Sequence, residues 1–250
     1  MKIIDVLQAL EKIAPLSLSN EFCQKYGAYD NSGIIIDTDK DITGVVFSLD
    51  LTNKALEKAI ELGYNLIVTH HPAIYKGVLS LSENDVVFKA IKNGVGVISM
   101  HLNLDGAKNG VDYWFSKGLG ATNAEILMEL NGGGYGRTFY YGNTLKSFVE
   151  NYEKTFESKK YFVYGNLDAE IKSVSSFCGA GFGDEEYALS EKSDLIVSAD
   201  IPHHIILKVV ESGRSVMQVT HYASEIYGFK KFYESVELEN KAFVTQEIYK

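Results

Sequence analysis

Apolar side chains recur at Ile3, Ile4, Val6, Leu7, Leu10 and Ile13, a 3.6-residue period that predicts an amphipathic helix stopping before Pro15. The pattern then shortens. Residues 34–36 and 45–49 read as strands, separated by the polar turn Asp37-Thr38-Asp39-Lys40-Asp41. Helical spacing returns over 52–62, with Ala55, Leu56, Ala59, Ile60 and Leu62, and ends at Gly63. Residues 66–69 read as a strand, 86–92 as a helix ending near Gly94, and 95–100 as a further strand. This β-α-β-α-β rhythm predicts a mainly parallel sheet with helices on both faces.

Residues 131–141 form a Gly-rich interruption followed by a β-like aromatic run, and mark a lobe boundary. Beyond it, 145–155 reads as a helix and 160–164 as a strand, and then the early pattern returns. Residues 41–47 resemble 170–176, 65–69 resemble 194–198, and the stretch from Ile91 to His101 resembles that from Val210 to His221. The expected fold is therefore α/β, two similar lobes from a duplicated α/β unit, with mainly parallel sheets flanked by helices. The first lobe is expected over 1–125, rejoined by 222–250, and the second over 126–221.

Composition narrows the function. With 250 residues, 46% of them hydrophobic, the chain can bury a sizeable core. Lys plus Arg total 24 against 33 Asp plus Glu, a formal charge of −9, so a surface built to neutralise phosphates, and a nucleic-acid partner with it, is not expected. Two cysteines, no charged-then-apolar leader and no apolar run near the roughly 20 residues that span a bilayer point to a cytoplasmic protein without disulfides or membrane contact.

The six histidines carry the chemistry. His70 and His71 follow one strand, His101 another, His203 and His204 a third, and His221 a fourth, and ligands in open α/β sheets bind outside the carboxyl ends of strands. Adjacent side chains on a strand point to opposite faces, and Pro72 supplies the break that lets His70 and His71 reach one or two ions. His221 and Glu225 have the i,i+4 spacing that puts both on one face of a first helical turn. His101 and Asp105 repeat that spacing on an expected loop.

His70, His71, Asp105, His221 and Glu225 form a nitrogen and oxygen donor set without thiolate, suited to Zn, Mn, Fe, Ni or Co. Five donors with two potentially bridging carboxylates fit two divalent ions roughly 3.5–4 Å apart. A purely structural metal is the alternative, although such sites usually include cysteine. His101, His203, His204, Asp200 and Asn103 are expected at the rim or behind the ligands, with His101 or His204 as proton shuttle. The Asp30-Asn31-Ser32-Gly33 turn is a candidate pocket wall, and Arg137 in Gly132-Gly133-Gly134-Tyr135-Gly136-Arg137 a candidate anion clamp.

The series Asn31-Ser32-Gly33, Thr69-His70-His71-Pro72, His101-x-Asn103-x-Asp105, Gly134-x-Gly136-Arg137, Asp200-x-x-His203-His204 and His221-x-x-x-Glu225 resembles the motifs of the Nif-three-like proteins, also called GTP cyclohydrolase type-two homologues. The resemblance runs, in order, over nearly the whole chain. It implies a two-lobed α/β protein with a dinuclear metal centre between the lobes, carried by His70, His71, Asp105, His221 and Glu225, and a ring-shaped homohexamer. The length matches members without an inserted middle domain. One departure is Ala199 before Asp200, where those proteins usually have glycine. The leading expectation is a hydrolase whose metal-activated water attacks a GTP-like cyclic amidine or a phosphoester. The rival is a metal-stabilised ring that acts as an interaction or regulatory scaffold and catalyses nothing.

Overall fold

The computed structural model describes residues 1–245. Along the chain run α1 (Ile3–Glu11), α2 (Leu16–Tyr26), β1 (Gly33–Ile36), β2 (Val45–Ser48), α3 (Asn53–Leu62), β3 (Leu66–Thr69), α4 (Val86–Lys92), β4 (Gly96–Ser99), α5 (Leu102–Asp105) and α6 (Val111–Gly118). They are followed by β5 (Ala124–Leu130), β6 (Gly133–Thr144), α7 (Leu145–Phe156), β7 (Tyr161–Tyr164), β8 (Glu170–Ser176), α8 (Asp184–Leu189), β9 (Leu195–Ser198), α9 (His203–Glu211), β10 (Ser215–Val219), α10 (His221–Ser235) and β11 (Lys241–Val244). These elements form two compact units, one from Met1–Ala107 with the chain from Phe229 onward, the other Lys108–Gly228.

The first unit holds a five-stranded sheet in the order β1-β4-β3-β2-β11. Only the β1 edge is antiparallel. Strands β2, β3 and β4 are buried along their whole length, as expected where both faces of a parallel sheet are covered. Alternation assigns the faces. Val46, Ile67 and Val97 pack with Ala55, Leu56 and Ala59 of α3 and Ala90 of α4, whereas Phe47 meets Phe229, Phe232 and Tyr233. Burying each of the Val, Ile, Leu and Phe side chains among these contributes roughly 1.5–3 kcal/mol. Helix α3 starts where the Thr52 hydroxyl accepts the Ala55 amide and stops at Gly63, φ +68°.

The register places Ser48 beside Thr69 and Thr69 beside Ser99. Three parallel strands thus end level, and the residues that follow them leave the sheet together.

Helix α2 escapes the periodic reading because Leu18, Ser19 and Phe22 are its only buried side chains. The interval from His101 to Asp105, expected as a loop, is instead the helical turn α5, with His101 at its N-cap.

The second unit has a six-stranded sheet, β5-β6-β8-β9-β10-β7. Its core β8-β9-β10 is parallel, and β6 and β7 flank that core antiparallel. The run β7-β10-β9-β8 has the same wiring as β1-β4-β3-β2, three parallel strands with an antiparallel one beside the last, so the repeat in the sequence is a repeat of topology. The Gly-rich stretch is not an interruption. Residues 133–144 form β6, paired to β5 and β8, and a side chain at Gly136 (φ +68°) would fall 2.2 Å from the Phe177 ring.

Candidate metal centre

The first unit gathers its donors at the level exits of β2, β3 and β4. The Leu49 carbonyl accepts the amides of both His70 and His71, at 3.1 and 3.0 Å, so the chain leaves strand geometry at His70. The Thr69 hydroxyl, itself bonded to Ser99 Oγ, donates to the His71 carbonyl at 2.7 Å. With the pleat broken, the His70 and His71 rings lie 5.0 Å apart, and His101 lies 5.3 and 5.8 Å from them. Donor atoms of the three imidazoles fall within 4.8 Å of one another. Asp105 Oδ1 is 3.4 Å from His70 Nε2, with both side chains buried.

In the second unit the other donors open α10. His221 Nε2 stands 3.0 Å from Glu225 Oε1, with Glu225 buried. The i,i+4 spacing read from the sequence here lies on a first helical turn.

Each of these four imidazoles is held through Nδ1. His70 meets the Met100 carbonyl at 2.8 Å, His71 meets Asp50 at 2.6 Å, His101 meets Asp30 at 2.8 Å and His221 meets Asp200 at 2.6 Å. An acceptor at Nδ1 holds a proton there and fixes the direction of Nε2, the arrangement found behind metal-bound histidines. Together with Asp105 and Glu225, these are His, Asp and Glu groups able to hold metal ions.

Electrostatics stiffen the arrangement. Burial pushes the Asp30 carboxyl up, but hydrogen bonds from His101, Ser19 and Ser32 outweigh it and hold the acid down at about 2. For His221, burial pulls the ring down, while Glu225 and Asp200 push it up to about 9.

Other residues singled out by sequence fall variously. Asp200 adopts φ +48°, so the left-handed turn falls on Asp200 and not on Ala199, where the related motif carries glycine. Asn103 is buried, and its amide donates to the Ala14 carbonyl at 2.7 Å, tying α5 to the start of α2. Its Oδ1 has no hydrogen-bond partner among the described residues. Arg137 is buried and paired with Asp112, so its guanidinium faces an internal carboxylate. His203 and His204 begin α9 as exposed side chains.

Two of the histidine partners, Asp50 and Asp30, are not expected as such from the sequence. Their signal was position: Asp50 stands two residues past β2, and Asp30 lies in the turn suspected as a pocket wall. Beside that turn stand Tyr29 and Tyr75, both about half exposed (50% and 44%), with ring centroids 5.4 Å apart. Tyr75 donates to the Tyr29 carbonyl at 2.7 Å and packs edge-on to His101 at 6.3 Å.

Known proteins share this fold. A Clostridium acetobutylicum protein named GTP cyclohydrolase 1 type 2 homolog is 27% identical over 236 residues, 90% of this chain and 85% of that one. The crystal structure of Staphylococcus aureus hypothetical protein SA1388 superposes with TM-score 0.81 at 26% identity, covering 100% of this chain and 97% of that one. Reduced HcgD from Methanocaldococcus jannaschii gives TM-score 0.80 at 25% identity, with 99% and 98% covered. The description of Duf34/NIF3 (NGG1p interacting factor 3) matches residues 1–249. Since that match takes in every strand exit bearing a donor, the chain belongs to the Duf34/NIF3 family.

Proposed function

We propose that this protein is a metal-dependent hydrolase of the GTP cyclohydrolase 1 type 2 kind, acting on a cyclic amidine in preference to a phosphoester. In this reading His70, His71, Asp105, His221 and Glu225 hold two divalent ions of the Zn, Fe, Mn, Ni or Co group. The observation that carries it is the Nδ1 anchoring of the three donor histidines, His70, His71 and His221, which aims three Nε2 atoms for metal binding. Two bound divalent ions lower the pKa of water towards neutrality and polarise the bond to be cleaved.

The chain's own residues do the rest. Asp50 and Asp200 keep the His71 and His221 rings in orientation. Of the two shuttle candidates, His101 is the one held by a buried carboxylate, Asp30, so its Nε2 can pass a proton to the leaving nitrogen without losing its aim. Tyr29 and Tyr75 offer flat apolar surface beside His101, which suits a planar ring better than a phosphate. We also infer a ring-shaped homohexamer, on the strength of the motif resemblance, and a cytoplasmic setting from two cysteines not joined in a disulfide.

The test is metal analysis of protein purified without chelator, then turnover of GTP and of a generic phosphoester by wild type, His70→Ala and Glu225→Ala. The expected result is metal-dependent GTP turnover lost in both variants. Turnover surviving both changes overturns the hydrolase reading. A silent substrate screen, with an assembly that dissolves on metal removal, favours the scaffold reading instead.

A further inference from the structure

A buried ion pair in the second unit connects, through the Cys178-Gly179 backbone, to His221 and Glu225. Arg137, from β6, and Asp112, from α6, are 2% and 0% exposed. Arg137 donates to Asp112 Oδ2, and Asp112 Oδ1 accepts the Cys178 amide at 3.1 Å. The Tyr135 hydroxyl donates to the Cys178 carbonyl. Cys178 is thus gripped through both its amide and its carbonyl.

The next residue touches the donors. Gly179 has φ +62°, and its amide donates to Ser224 Oγ at 2.9 Å, whose hydroxyl donates in turn to the His221 carbonyl at 2.7 Å. A Cβ on Gly179 would lie 2.5 Å from Glu225 Oε1 and 3.6 Å from His221 Nε2. The glycine backbone therefore lies against the Glu225 carboxylate, and a side chain there would be strained at that φ and would push the carboxylate aside.

We propose that Arg137, Asp112 and Ser224 are positioning residues that lock the Cys178-Gly179 backbone against Glu225 and so set the carboxylate for metal binding. The proposal rests on the metal reading above. It also accounts for the ion pair. Two charges buried in an apolar interior seldom stabilise a fold more than well-packed apolar side chains would, so their retention points to the geometry they impose. The sequence motif Gly134-x-Gly136-Arg137 then belongs to this lock and not to an anion clamp.

The experiment compares metal affinity, by titration with Co(II) and competition with Zn(II), in wild type, Arg137→Met/Asp112→Leu, Arg137→Gln/Asp112→Asn, Ser224→Ala and Gly179→Ala. Folding is followed by circular dichroism and thermal unfolding in chelator. The apolar pair keeps the fold but has no acceptor for the Cys178 amide, and is expected to lose affinity about tenfold or more. The amide pair retains an Oδ1 acceptor and should recover most of the loss. Gly179→Ala should lose at least as much as the apolar pair, and Ser224→Ala should lose less. Wild-type affinity in the apolar pair or in Gly179→Ala overturns the proposal. Should the apolar pair fail to fold, Ser224→Ala and Gly179→Ala decide alone, and wild-type affinity in both overturns it. If wild type itself binds no Co(II) or Zn(II), the metal reading fails, a result separate from any difference among variants.

Discussion

Asp50 and His71 are joined by a 2.6 Å contact between Oδ1 and Nδ1, across the exits of the neighbouring strands β2 and β3. A partly exposed carboxylate, 38% accessible, orients a ring that is 24% accessible, so the pair adds little to stability. Its weight falls on metal binding. Asp50→Ala is expected to lower metal affinity about 10–100-fold, while Asp50→Asn, which keeps an acceptor for Nδ1–H, should lose less. Isothermal titration with Zn(II) measures both, and equal losses in the two variants would show that negative charge matters more than ring orientation.

Asp30 links pH to stability. Its acid is held at about 2 in the folded chain, below the ordinary value near 3.9. A depressed carboxylate stabilises the fold above its unfolded pKa, and that contribution disappears as the pH falls from about 4 to about 2. The full contribution is about 2 kcal/mol. Urea unfolding of wild type and Asp30→Asn should therefore differ most above pH 4 and converge near pH 2. A constant difference across that range would mean that Asp30 acts through packing alone.

Asp200 pulls in two directions. Its backbone sits at φ +48°, which costs a non-glycine residue roughly 1 kcal/mol, yet its carboxylate holds His221. Asp200→Gly removes the strain together with the hydrogen bond. Thermal unfolding of the metal-free protein should therefore shift by less than about 1 kcal/mol, whereas metal affinity should fall about tenfold or more. Parallel losses in both measurements would contradict this division.

Gly136→Ala tests the packing around Phe177, next to the Cys178-Gly179 backbone. The added methyl would lie 2.2 Å from the Phe177 ring, at φ +68°. Strain and overpacking together should cost about 2–4 kcal/mol, read from the midpoint of chemical denaturation. A near-neutral result would mean that Phe177 has room to move.

Much of the fold was legible because local and long-range preferences agree. Residues 66–69 and 86–92 read correctly to the residue, since Leu-Ile-Val and the Val86-to-Lys92 run each suit one period only. The stretch Gly133-to-Tyr141 misleads because glycine is a poor strand former, and its presence there answers to Phe177, a side chain more than 40 positions away. Helix α2 misleads for the opposite reason, its buried face being too narrow to print a period.

The donor residues show the same division. Sequence alone picked them out as candidates: histidines and carboxylates at strand exits, chosen by type and by spacing of four. Spacing is set by covalent geometry, and so it can be read along the chain. Only tertiary structure decided which acceptor stands behind each imidazole, that His101 stands among the donors while His203 and His204 are exposed, and that Arg137 turns inward to Asp112. Those outcomes depend on which strand lies beside which and on where each side chain finds a partner in three dimensions, and no local period records either.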